Sequence, residues 1–82
     1  MTVTVYEKPD CMQCVQTKRK LEREGVPYET ADLMDPGNLE AAKSLGHMSA
    51  PVVVAGDESW AGFRPDRIQE LADRLNNKEE NE

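Results

Sequence analysis

The chain has 82 residues, a formal net charge of −6, two cysteines and one histidine, and a chain of this length is expected to form one small domain. The acidic balance disfavours nucleic acid and anionic membranes as partners, because phosphate binding needs Lys and Arg in excess. There is no run of about 18 apolar residues and no N-terminal signal pattern, so we expect a soluble cytoplasmic protein without a membrane partner.

The first half of the chain alternates predicted strands and helices, with strands at residues 2–8 and 26–33 and helices at about 11–24 and 36–45. The first strand is predicted from Val3 and Val5, which alternate with polar neighbours in a β-branched run. Gly25 is placed to stop the first helix. Asp35 offers an N-cap for the second helix. The apolar residues of that helix recur on one face, at Leu39, Ala42 and Leu45.

The second half predicts a hairpin followed by a helix. The apolar run at residues 51–55 is typical of a buried central strand, and residues 59–63 can return beside it after a turn at residues 56–57. Pro65 opens a helix with apolar residues at helical spacing, namely Ile68, Leu71, Ala72 and Leu75. The order β-α-β-α-β-β-α predicts an α/β fold, a four-stranded mixed sheet flanked by three helices.

The domain is expected to cover residues 1–76. The acidic segment at residues 77–82 has no apolar anchor, so we expect it to form a disordered tail.

Both cysteines, Cys11 and Cys14, stand two residues apart in the stretch KPDCMQCVQTKRKL. A tetrahedral zinc site needs four N or S ligands, whereas this chain adds only His47, which in its place after a glycine is more typical of a surface or capping residue. A structural disulfide is also disfavoured, because a four-residue loop constrains the unfolded chain little and the cytoplasm is reducing. Cys-x-x-Cys near a βαβ pattern instead indicates a reversible dithiol. We therefore expect no metal and no cofactor beyond the redox-active disulfide.

Helix geometry predicts different roles for the two thiols. Cys11 lies at the helix N-terminus, where unpaired N–H groups stabilise a thiolate, so we expect it to attack first. Cys14 shares a stripe with Thr17 and Leu21, and Cys11 lies about 90° from the centre of that stripe at 100° per residue. Cys14 is therefore expected to be buried and to resolve the mixed disulfide.

Four neighbours of the thiols are expected to modify their chemistry. Lys8 adds positive potential near the thiolate, whereas Asp10 opposes it unless its carboxylate caps the helix. Met12 and Gln13, between the cysteines, are expected to tune the potential and contact partners rather than react.

Three stretches, YEKPDCMQCVQTKRKL, SAPVVVAGD and WAGFRPDRI, together resemble the NrdH-redoxins, glutaredoxin-like proteins with thioredoxin-like activity. The likeness covers residues 2 to about 76, and it departs from the family's usual form at Ala61, where that form has Ser. The resemblance implies a thioredoxin fold with Pro51 in cis beside the dithiol. It also implies electron donation to the large subunit of class Ib ribonucleotide reductase, and re-reduction by NADPH-dependent thioredoxin reductase rather than by glutathione.

Two segments carry the expected partner contacts. Because proline lacks an N–H and fixes the backbone, Pro51 leaves the polar groups of Ala50 free to pair with an extended substrate; the alternative is that Pro51 merely starts a strand. Trp60 and Phe63 either dock partners or complete the core, and Arg64 is a further candidate contact.

The residues after Trp60 also bear on whether the chain can bind glutathione. In glutathione-using glutaredoxins the comparable place carries Gly-Gly followed by small polar residues and Asp. Here residues 61–62 are followed by the bulkier and more rigid Phe-Arg-Pro of residues 63–65. This weakens a glutathione site without excluding it, since Lys8 and Asp66 could still meet the charged ends of glutathione.

Three functions stay open on the sequence alone. The leading one is a dithiol donor to ribonucleotide reductase; the others are a glutathione-dependent glutaredoxin and a homodimeric carrier that holds an iron–sulfur cluster with Cys11 and glutathione. The basic run at residues 18–20 is either a solvated helix face or a docking patch for an acidic partner.

Overall fold

A computed structural model describes residues 2–80, and side chains up to residue 76. Seven elements follow one another: β1 (Val3–Glu7), α1 (Met12–Arg23), β2 (Glu29–Asp32), α2 (Pro36–Ser44), β3 (Val52–Ala55), β4 (Glu58–Ala61) and α3 (Pro65–Glu80). The predicted order of strands and helices is confirmed. The second strand is shorter than predicted, because the chain reaches the sheet only at Glu29.

The four strands form one mixed sheet in the order β2-β1-β3-β4. β1 runs parallel to β2, and β3 is antiparallel to both β1 and β4. Val5 on β1 lies opposite Val53 on β3, and Val53 lies opposite Trp60 on β4. The two central strands are therefore β1 and β3, and the latter is the strand that leads directly out of Pro51.

Helix ends follow the local signals in the sequence. Gly25 has a φ of 72°, a left-handed conformation that glycine adopts without steric cost, and the next N–H, of Val26, donates to the Leu21 carbonyl at 2.9 Å. Asp35 caps α2, because its Oδ1 accepts from the Gly37 N–H at 2.8 Å. Both expectations for these helices are confirmed.

The hydrophobic core lies between one face of the sheet and helices α1 and α3. It comprises Val3, Val5, Leu21, Val26, Val53, Ala55, Trp60, Ile68, Leu71 and Ala72. On the opposite face α2 buries only Ala42, whereas Leu39 and Leu45 remain 39% and 47% exposed. The apolar face predicted for α2 therefore identifies the helix correctly, but the face is only partly covered by the sheet.

Helix α3 runs to Glu80, four residues into the segment predicted to be a disordered tail. Residues 81 and 82 of that segment lie outside the described residues, and the domain boundary at residue 76 stays a prediction. None of the helices in the described part of the chain has the length and apolar character of a membrane span.

Candidate dithiol site

Cys11 is the N-cap of α1. Its backbone is extended (φ −114°, ψ 104°), and its Sγ accepts a hydrogen bond from the Cys14 N–H at 3.1 Å. The cap is therefore a sulfur atom and not the carboxylate of Asp10. Asp10 instead has a φ of 56°, a left-handed conformation that aspartate tolerates better than most residues. This turn precedes the cap, in which the Cys11 sulfur accepts from the Cys14 N–H.

The two cysteines form a disulfide with a Cα–Cα distance of 5.2 Å, within the usual range for such bonds. Cys11 is partly exposed, whereas Cys14 is 1% exposed and lies on a buried stripe with Thr17 and Leu21. The exposure predicted from the helical wheel is thus confirmed: an incoming sulfur can reach Cys11, and Cys14 is shielded.

The peptide bond between Ala50 and Pro51 is cis, as the resemblance implied. Pro51 is buried, and its carbonyl accepts from the Gly62 N–H at 2.8 Å. Among the described backbone hydrogen bonds outside helices and strands, none involves Ala50. Ala50 itself is partly exposed.

Lys8 lines two grooves, one beside the cysteines and one beside Ala50. An open groove of about 810 Å³ is lined by Lys8, Met12 and both cysteines. A smaller one of about 190 Å³ is lined by Lys8, Ala50 and Met48. Met12 and Met48 are 70% and 81% exposed, so each of the two grooves has a flexible apolar side chain in its lining. Nothing in the sequence points to Met48, since one methionine in a loop carries no pattern.

Gln13 connects the dithiol turn to the segment after β4. Its Oε1 accepts from the Phe63 N–H at 3.1 Å. A Cβ on Gly62 would come within 3.3 Å of that oxygen, and Gly62 has a φ of 85°, so glycine suits the position on both counts. The ring of Phe63 is partly buried against the core, which supports the structural interpretation of that residue.

Of the two interpretations of Trp60, the structure favours the one in which it completes the core. Trp60 is 3% exposed and belongs to the core, and the Arg67 guanidinium lies 5.0 Å from its ring centroid. A side chain enclosed by both core and guanidinium leaves almost no surface for a partner. Arg64 is exposed and forms an ion pair with Asp66 at 3.0 Å, so neither charge stands alone at the surface.

The basic run on α1 is largely paired within the chain. Lys18 Nζ contacts Glu7 at 2.7 Å, and Lys20 Nζ contacts Glu24 at 3.0 Å. The Lys20 amine also donates to Gln69 on α3. Arg19 is exposed. These contacts favour a solvated helix face over a dedicated docking patch.

His47 has a structural place. Its backbone N–H donates to the Ala42 carbonyl at the end of α2, and its Nε2 lies 2.9 Å from the Ser59 hydroxyl. Within the part of the chain that the structure describes, no group of three or more His, Cys, Asp or Glu side chains is arranged to hold a metal ion.

Comparison with known proteins shows which family the chain belongs to. The glutaredoxin family model matches residues 3–60. The glutaredoxin-like protein NrdH of Escherichia coli K12 is 44% identical over 72 residues, which cover 87% of this chain and 89% of that protein. The chain belongs to the glutaredoxin-like NrdH family. NrdH of Lactococcus lactis subsp. lactis is 34% identical over 71 residues, which cover 85% of this chain and 99% of the relative.

Solved structures of the family agree with the architecture. The structure of NrdH-redoxin from E. coli superposes with a TM-score of 0.82 at 44% identity, covering 87% of this chain and 95% of that one. A glutaredoxin from Archaeoglobus fulgidus reaches 0.70 at 29% identity, covering 84% and 83%. The fold is the thioredoxin fold, and the chain is a thiol–disulfide oxidoreductase of the NrdH family with a Cys11–Cys14 pair at disulfide distance.

Proposed function

We propose that this chain is a cytoplasmic dithiol electron donor to the large subunit of class Ib ribonucleotide reductase, and that NADPH-dependent thioredoxin reductase restores its dithiol. The observation that carries the proposal is the asymmetry of the disulfide, with an accessible Cys11 sulfur on a helix N-terminus and a buried Cys14. The related NrdH-redoxin from E. coli is described as having a thioredoxin-like activity profile.

The reaction divides between the two cysteines. In the reduced protein the Cys11 thiolate attacks one sulfur of the target disulfide, and the other target sulfur leaves as a thiolate that takes up a proton. The Cys14 thiol then gives up its proton, and its sulfur attacks Cys11 Sγ within the mixed disulfide. The bond to the target breaks, and the second target thiolate takes up a proton. Two electrons and two protons have passed to the target, and the Cys11–Cys14 disulfide remains.

The first turn of α1 stabilises the attacking group. The Cys14 N–H already points at Cys11 Sγ at 3.1 Å, and it would donate more strongly to a thiolate, because hydrogen bonds to ionised acceptors are stronger. The positive end of the helix acts in the same direction. Lys8 borders the same groove and adds a positive charge on the side from which the target approaches.

The target segment is proposed to lie along the residues before β3. Ala50 offers backbone groups that an extended segment can pair with, in the manner of an added strand. Met48 lines the groove beside Ala50, and Met12 lines the groove beside the cysteines. Both can adapt to different apolar side chains, since methionine is unbranched and flexible. Such a surface suits a protein that must bind two partners in turn, the target and the reductase.

A glutathione-dependent glutaredoxin is the second candidate, because the family model that matches the chain is that of glutaredoxins. A coupled assay of NADPH oxidation separates the two. The proposal expects rapid turnover with thioredoxin reductase and slow or undetectable turnover with glutathione and glutathione reductase. The reverse ranking would assign the chain to glutathione. Visible absorbance of the purified protein would point instead to the iron–sulfur carrier.

A further inference from the structure

Thr17 is a buried polar residue on the helix that begins at the dithiol. Its side chain is 0% exposed and lies on the stripe of α1 that also carries Cys14 and Leu21. Within the part of the chain that the structure describes, the Thr17 hydroxyl has no hydrogen-bond partner. A threonine inside a helix commonly donates to a backbone carbonyl one turn earlier, and this one does not. Because a buried hydroxyl without an acceptor costs about 1–3 kcal/mol, its position needs a cause.

Cys14 is the neighbour of Thr17 that can accept a hydrogen bond. The two residues are three positions apart on α1, and side chains with this spacing are neighbours on a helix, with Cβ atoms about 5–6 Å apart. Cys14 is 1% exposed, so its sulfur shares the buried environment of the hydroxyl. Leu21, the third member of the stripe, belongs to the apolar core and offers no acceptor.

The strength of the Cys14 sulfur as an acceptor depends on the redox state. In the disulfide this sulfur is bonded to Cys11 and carries no charge. Reduction by a dithiol breaks the bond and passes two electrons and two protons to the cysteines, and the reductant becomes a disulfide. When the bond breaks, the Cys14 sulfur leaves as a thiolate before it takes up its proton. Hydrogen bonds to ionised acceptors are stronger than those to neutral ones, so the hydroxyl gains an acceptor when the disulfide opens.

We propose that Thr17 is a positioning residue of the dithiol, whose hydroxyl donates to the Cys14 sulfur in the reduced protein and has no acceptor in the disulfide. This hydrogen bond stabilises the reduced form and therefore raises the reduction potential. It also stabilises the thiolate that leaves when a reductant attacks Cys11, and a better leaving thiolate leaves faster. The inference rests on the proposed function only for the role of Cys14 as the resolving thiol, since the identity of the partners does not enter it.

Three variants test the proposal through a redox equilibrium. Thr17→Val replaces the hydroxyl with a methyl group of similar size, and Thr17→Ser keeps the hydroxyl. Leu21→Val is the matched control, because it changes the packing of the same stripe without changing a hydrogen-bonding group. Each protein is equilibrated with graded ratios of reduced to oxidised dithiothreitol. The fraction in the dithiol form is then measured by mass spectrometry after alkylation.

We expect the equilibrium constant for reduction to fall at least about fivefold in Thr17→Val, which corresponds to about 1 kcal/mol and to a potential about 20 mV more negative. Thr17→Ser and Leu21→Val should stay within about twofold of wild type, because packing changes that are the same in both redox states cancel. An unchanged constant in Thr17→Val would overturn the proposal. An equally large fall in Thr17→Ser or in Leu21→Val would also overturn it, since neither variant removes the hydroxyl.

The charged side chains around the Cys14 sulfur are the same in all of these variants. Those that line the groove beside it are Glu7, Lys8, Asp10, Lys18 and Asp32. A change of potential in Thr17→Val therefore reports the hydroxyl and not a changed charge.

Urea unfolding of the oxidised and the reduced proteins gives a second measurement. Thr17→Val should raise the urea midpoint of the oxidised form, because it removes a buried hydroxyl that has no acceptor there. It should not raise the midpoint of the reduced form, in which the same hydroxyl is paired. An equal shift of both midpoints would assign Thr17 a structural role and contradict the inference. The proposed function fails separately, through slow turnover of the wild type with thioredoxin reductase.

Discussion

Replacing Trp60 with alanine removes the only tryptophan of the chain from a site that is 3% exposed. The ring lies opposite Val53 in the sheet and packs in the core with Ile68 of α3. Its other contact is the Arg67 guanidinium at 5.0 Å. The substitution therefore opens a cavity between the sheet and α3, and it does not remove a surface anchor.

The loss can be estimated in two ways. Truncation of a buried aromatic side chain to alanine costs about 3–5 kcal/mol. Burial of about 150–250 Å² at about 25 cal/mol per Å² gives about 4–6 kcal/mol as an upper value. A chain of 82 residues is expected to have a total stability of only about 4–12 kcal/mol. Trp60→Ala should therefore lose a large part of the free energy of unfolding.

Urea unfolding followed by far-ultraviolet circular dichroism measures this loss without relying on tryptophan fluorescence. With a slope of at least about 1 kcal/mol per M, the midpoint should fall by up to about 3–5 M, or the variant should be partly unfolded without urea. Trp60→Phe should lose less, because a ring still fills part of the space. Met48→Ala, at an 81% exposed position, serves as the control and should stay within about 0.5 kcal/mol of wild type.

The expected loss in Trp60→Ala is about 3–5 kcal/mol. A free energy of unfolding within about 1 kcal/mol of the wild-type value would refute the assignment of Trp60 to the core. If that protein also lost turnover with thioredoxin reductase while its reduction by dithiothreitol stayed normal, Trp60 would be a docking residue. Equal loss of both activities, together with the loss of stability, is the result expected from a core residue.

Substitution of the two cysteines should separate attack from resolution. Cys11→Ser should abolish disulfide reduction, because no thiolate remains at the helix N-terminus. Cys14→Ser should instead accumulate a mixed disulfide that mass spectrometry locates on Cys11. A target adduct on Cys14 in the Cys11→Ser protein would reverse these roles. Burial raises the pKa of Tyr28 from 10.0 to about 12, so an ultraviolet titration should show a phenolate step near pH 12 that Tyr28→Phe removes. The stability linked to this raised pKa is present below the unfolded pKa of about 10 and is lost as the pH rises through about 12. A Tyr28→Phe protein that kept the phenolate step would contradict the assignment of that step to Tyr28. A hydrogen bond from Arg74 lowers the pKa of Glu58 below its ordinary value of 4.5, so this carboxylate stabilises the fold above about pH 4.5, and its contribution is lost as the pH falls through the lowered folded value. Thermal melts between neutral and acid pH should therefore be less pH-dependent in Glu58→Gln than in wild type, and identical pH dependence would show that the ion pair contributes nothing.

Local features of the sequence were enough for the element order and for the difference between the two thiols. Gly25 ends α1 as predicted, since its left-handed φ depends on the residue itself and its immediate neighbours. Cys11 and Cys14 share one helix, so their relative exposure follows from 100° per residue without knowledge of the rest of the chain. The exposure of Leu39 and Leu45 could not be predicted in this way, because an apolar helix face does not reveal how much of it the sheet covers.

The sequence by itself determined the α/β order, the thioredoxin-like dithiol and the exposure of its cysteines, because these depend on contacts a few residues apart. The tertiary structure alone decided that Trp60 is enclosed by the core and Arg67, and that the Gln13 oxygen accepts from Phe63. Both outcomes depend on which elements meet in the sheet order β2-β1-β3-β4. A hydrogen bond between residues 50 positions apart leaves no periodicity or spacing in the sequence, since it exists only once the sheet has brought the end of β4 beside the first turn of α1.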